Sequence, residues 1–121
     1  MTDNNHAANR TLGLQAEWEM WPLWYSTGDD FPESYDFEEI QAIVPLSEEL
    51  CEAINAWDER FQAIYDKESP RDSAFSSGDD EAAFIAEGHM LARWIRREAP
   101  ADVVVQYAPV NDTRWQVVEA E

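Results

Sequence analysis

The chain has 121 residues, 8 Lys or Arg against 26 Asp or Glu, a net charge of -18 and six tryptophans. One domain is the natural size for this length, and a hydrophobic fraction of 45% is too high for a disordered body. So strong a negative charge disfavours direct binding to DNA, RNA or an anionic membrane, which needs clustered Lys and Arg, and favours solubility or a basic protein partner.

Residues 1–10, "MTDNNHAANR", are polar and lack an apolar core, which predicts a disordered lead and no secretory signal. A single α+β domain is expected over 11–121. Leu12, Leu14, Ala16, Trp18 and Met20 alternate with Gly13, Gln15, Glu17 and Glu19. This period of two predicts a strand over Leu12–Met20 with one buried face, ended by Pro22, and Glu17 and Glu19 looking outward. Tyr25 to Val44 carries turn residues (Gly28, Asp29, Asp30, Pro32) and reads as a long loop with at most a short helical turn over Phe37–Ile43.

Ser47 followed by Glu48 and Glu49 is a helix start, and Leu50, Ile54, Trp57, Phe61 and Ile64 form one face of a helix to about Asp66. "KESPRDS" closes it. Ser77 caps a second helix over Gly78–Glu98, with Phe84, Gly88, Leu91 and Ile95 on one face and Arg93, Arg96 and Arg97 in the last turns. Gly88 on that face implies close packing. "DVVVQYAP" and "RWQVVEA" read as strands near Asp102–Ala108 and Arg114–Val118, joined as a hairpin through "VNDT". The expected fold is therefore α+β: a small antiparallel or mixed sheet, order β-α-α-β-β, with two helices packed on one face.

No G-x-G-x-x-G, P-loop, G-x-S-x-G, H-E-x-x-H or C-x-x-C is present, and the Asp-rich loop lacks the spacing of a calcium-binding loop. No catalytic residue, metal ligand or cofactor is therefore assigned. His89 reads as a packing or surface residue, and Cys51, the single cysteine, as a small apolar one in a reducing cytoplasm. No apolar run approaches the roughly 18 residues that would span a membrane.

The sharpest feature is an asymmetry of charge. Thr11 to Glu59 contains 13 Asp or Glu and no Lys or Arg, and every basic residue but Arg10 lies from Arg60 onward. Aromatics lie inside this block. That combination points to a protein-binding surface of Trp24, Tyr25, Asp29, Asp30, Phe31, Glu33, Tyr35, Asp36, Glu38 and Glu39, with Glu48, Glu49 and Glu52 at the adjoining helix start. Charge would steer a basic partner and the aromatics would anchor it. Two other readings stand beside this one: a small enzyme or ligand-binding domain with its site under the 24–44 loop, and a structural subunit whose acidity serves only solubility.

"WPLW" (Trp21–Trp24), "PLSEEL" (Pro45–Leu50), Trp57, "SAF" (Ser73–Phe75) and Phe84 with Gly88 and Leu91 together form a pattern. Over roughly Glu17 to Tyr107 the chain resembles a group of small uncharacterised actinobacterial proteins with W-P-L-W, L-S-x-x-L and S-G-F segments. Ala74 stands here for the Gly of S-G-F, and the acidic loop is longer. The group brings no activity with it, but small acidic proteins of this kind are similar to immunity proteins of bacterial toxin systems. By that analogy the partner would be a toxin or nucleic-acid enzyme whose basic site is covered.

Overall fold

The computed structural model describes residues 10–28, 30–64, 75, 77–112 and 114–119. In chain order the elements are β1 (Arg10–Leu14), β2 (Leu23–Thr27), β3 (Glu33–Tyr35), α1 (Phe37–Ile43), α2 (Glu48–Gln62), α3 (Gly78–Glu98), β4 (Val103–Tyr107) and β5 (Gln116–Val117). The strands form one mixed sheet in the order β3-β2-β1-β4-β5. β1 is antiparallel to β2 and parallel to β4, and β4 and β5 form the expected antiparallel pair. The α+β class and the helix pair on the sheet are as the sequence implies.

The core lies between the sheet and the helices. Leu12 and Leu14 of β1, Leu23 of β2 and Val103, Val105 and Tyr107 of β4 meet Leu50, Ile54, Trp57 and Phe61 of α2 and Phe84, Leu91 and Ile95 of α3, all of them buried. Trp57 stacks on Phe84 with ring centres 4.5 Å apart and donates its indole N–H to the Phe84 carbonyl. Gly88 is where α3 touches the sheet. A Cβ there would lie 2.6 Å from Tyr107 Cζ and 2.9 Å from Trp57 Cζ2. The Tyr107 hydroxyl runs past this gap to donate to the Ile85 carbonyl.

The opposite sheet face is also covered. Trp115 lies over Gly13, where a Cβ would come within 2.6 Å of its ring, and Trp24 meets Trp115 edge-on at 6.3 Å.

Several boundaries differ from expectation. β1 opens at Arg10, which composition alone placed in the polar lead, and ends at Leu14 rather than Met20. The alternation continues, but the chain must reverse to pair β2, and a Gln15 N–H to Pro22 carbonyl bond closes that reversal. Ala16 is buried, Trp18 is half-buried and stacked on Phe61, and Met20 is exposed rather than in the core. Glu17 and Glu19 are part of this turn, not of an outward strand face. The expected loop 25–44 contains most of a hairpin: β2 and β3 pair in the register Leu23↔Tyr35, Trp24↔Ser34, Tyr25↔Glu33. β1, β2 and β3 therefore precede the helices where one strand was expected. The polar lead up to residue 9, Asp29, and the turns over "KESPRDS" and "SAF" except Phe75 lie outside the described residues.

Candidate functional site

The acidic segment is built as a hairpin followed at once by a helix. β2 and β3 carry Tyr25 and Glu33 opposite each other, with Leu23 and Tyr35 two pairs along and so on the same face. Asp30 closes the tip, its N–H donating to the Thr27 carbonyl at 3.1 Å. Asp36 then caps α1. Its carboxylate accepts from the Glu39 N–H at 2.7 Å, and the Glu39 carboxylate accepts from the Asp36 N–H at 3.2 Å. This reciprocal box fixes both side chains and places Glu38 and Glu39 in the first turn, where the helix dipole favours them.

α1 is fastened to the start of α2 through Gln41. Its amide donates to the Leu46 carbonyl at 2.7 Å and to Cys51 Sγ at 3.2 Å, while its carbonyl accepts from the Leu46 N–H. Cys51 is half-buried, and burial pushes its thiol pKa up, assisted by the negative charge of Glu98 and Glu48. Ser47 caps α2 and donates both its N–H and its hydroxyl to the Glu98 carboxylate at 2.7 Å; Trp94 donates to the same carboxylate. Burial alone would raise the Glu98 pKa. The hydrogen bonds from Ser47 and Trp94 and the charge of Arg97 outweigh it and hold the carboxyl below its usual range. Glu48, Glu49 and Glu52 are exposed on this first stretch of α2.

Of the residues singled out in the sequence, Tyr25, Asp30, Phe31, Glu33 and Tyr35 come together around a concavity of about 290 Å³ on the hairpin. Phe31 is 89% exposed, whereas Tyr25 and Tyr35 are half-buried and rest on the core. Among the described residues, none of the carboxylates of Asp30, Glu33, Asp36, Glu38, Glu39, Glu48, Glu49 and Glu52 is ion-paired. Arg10, the cation next to this block in sequence, is engaged by Asp102 at 3.1 Å and by the Ile43 carbonyl. The negative charge of this half is thus left facing solvent.

Trp24 of "WPLW" is half-buried. Its indole N–H donates to the Gln15 carbonyl at 3.1 Å and its ring packs on Trp115, so it belongs to the second layer of the sheet. The exposed tryptophan is Trp21, at 49%, beside Met20 at 40%. The signal for it was Pro22, which marks the chain reversal where alternation stops meaning burial.

The ground beneath residues 24–44 is core: Leu23, Ile40 and Val44 are fully buried there. Among the described residues no group of three or more His, Cys, Asp or Glu is placed to hold a metal ion, and no helix is long and apolar enough to cross a membrane. His89 packs edge-on against Tyr107, and its pKa is lowered by burial and by Arg93.

The fold and this surface define a small α+β domain that presents unpaired carboxylates and aromatic side chains. The sequence matches a family model described as Serratia CdiI immunity protein-like over residues 10–110, and the chain belongs to that family. No curated protein matches the sequence.

Proposed function

We propose that the protein is a non-enzymatic, cytoplasmic immunity protein that binds a bacterial toxin domain and blocks it by covering a basic site, of the kind that contacts nucleic acid. The observation that carries this reading is membership of an immunity protein-like family along most of the chain. The run of unpaired carboxylates over the hairpin, α1 and the start of α2 supports a basic partner, because like charges would repel the face and opposite ones are drawn to it. Acidity supplies rate and orientation in such a complex, while a few desolvated side chains hold it together.

The test is protection. A panel of bacterial toxin domains with basic nucleic-acid-binding sites is expressed from an inducible promoter, each with and without the chain. Growth that arrests alone and continues with the chain, together with a stable complex of the two purified proteins, is the expected result. Arrest that the chain leaves unchanged across the panel would contradict the reading. A chain that protects by chemically altering the toxin without a stable complex would return the enzyme alternative.

A further inference from the structure

Five large apolar side chains are exposed among the described residues: Met20, Trp21, Phe31, Met90 and Val117. Only Met20 and Trp21 are neighbours in sequence, and they follow a turn held in an unfavourable conformation. Glu19 has φ 61°, a region that residues with a Cβ seldom adopt and that persists only where surrounding contacts impose it. Here the imposing contacts come from α2. The Glu19 N–H donates to Gln62 Oε1 at 2.9 Å, and Gln62 Nε2 donates to the Glu17 carbonyl at 2.8 Å. Asp58, buried one turn earlier, accepts from the same Nε2 and so sets which way the amide faces. Trp18 completes the grip by stacking on Phe61, ring centres 3.8 Å apart and nearly parallel.

The turn is therefore clamped from the core side while its next two side chains face water. Trp21 rests edge-on against Phe37, the first residue of α1, at 6.5 Å, and Phe37 is followed by the exposed Glu38 and Glu39. An apolar centre with a charged rim, held rigid before association, is the arrangement in which a tryptophan contributes most to affinity, since little freedom is left to lose on binding.

We infer that Met20 and Trp21, on the turn pinned by Gln62, form the apolar centre of the surface that meets the basic protein partner, with the carboxylates of α1 as its rim. This rests on the proposed immunity function and names the anchor that function requires. The occupant follows from charge: the exposed Glu17 and Glu19 on the same turn and Glu38 and Glu39 beside Phe37 flank the patch, so a partner that fits it is basic around an apolar contact.

The experiment measures binding kinetics between the purified full chain and the toxin domain against which it protects in the growth assay. Trp21→Ala is expected to raise the off-rate at least about 30-fold, the hot-spot threshold, with the on-rate changed less than about 3-fold. Met20→Ala, which leaves the Trp21–Phe37 contact in place, raises it at least about 5-fold. Met90→Ala, exposed on α3 away from the acidic segment, changes it less than about 3-fold. Thermal melts establish that each variant folds, and Met20→Ala decides should Trp21→Ala not fold. Tight wild-type binding with both off-rates unmoved overturns the inference and leaves the immunity reading standing. No binding by the wild type overturns both.

Discussion

Asp58 lies in α2 with 8% of its surface exposed, and burial pushes its carboxyl up to about 6, with Glu59 adding to the rise and the Gln62 hydrogen bond opposing it. The sign follows from proton counting. Between the ordinary carboxyl value of 3.8 and about 6 the folded protein holds a proton that the unfolded chain has released. Unfolding free energy from this group therefore falls as pH rises through that window. Asp58→Asn should remove the fall, so its stability relative to wild type should improve between pH 4 and pH 7 by roughly 1–3 kcal/mol. Urea titrations at the two pH values check this; a parallel pH response in both proteins would place the ionised carboxylate comfortably in the fold. Gly88→Ala tests a different contact. The added methyl enters the space of Tyr107, which bonds Ile85 from that position, so a loss of about 1–3 kcal/mol is expected. Trp57→Ala, at the fully buried centre of the aromatic stack, should cost about 3–5 kcal/mol by the same assay.

At the level of elements, the second layer over the sheet separates fold from binding. Trp24 and Trp115 close the face of β1 opposite the helices, above Gly13. Trp24→Ala should thus lower stability by about 2 kcal/mol or more, through lost packing and the lost bond to Gln15. A variant as stable as wild type would mean the ring is peripheral after all. The helices were legible because their signals are local: Ser47 and Ser77 do cap α2 and α3, and the Leu50–Phe61 and Phe84–Ile95 stripes are the buried faces. The β2–β3 hairpin was not. "LWYST" is a β-favouring run, but it is bounded by Pro22 and Gly28, and its mate, Glu33–Tyr35, is only three residues long and set among acidic residues and Pro32. Pairing across the sheet, not propensity, makes these strands. The end of β1 was missed for a related reason: alternation persists to Met20, while the hydrogen bonds that turn the chain come from Gln62, over forty residues away. The acidic character of the surface was readable from composition, but which tryptophan it exposes depended on that distant contact.

For the whole molecule, a net charge of -18 acts in two opposite directions. Like charges crowd together on folding, so raising salt from about 0.02 M to 0.15 M, which shortens the Debye length to about 8 Å, should raise the melting temperature of the isolated chain. The same screening should weaken the pull on a basic partner. Recruitment of such a partner by the acidic face is read most directly from stopped-flow association, over that salt range, with the toxin domain against which the chain protects. The wild-type on-rate should fall at least about tenfold, and the variant with the exposed Glu33, Glu38, Glu49 and Glu52 changed to Lys, which leaves the Asp36–Glu39 cap of α1 intact, should start low and respond little. A wild-type on-rate that is independent of salt and unmoved by the four reversals would contradict the account.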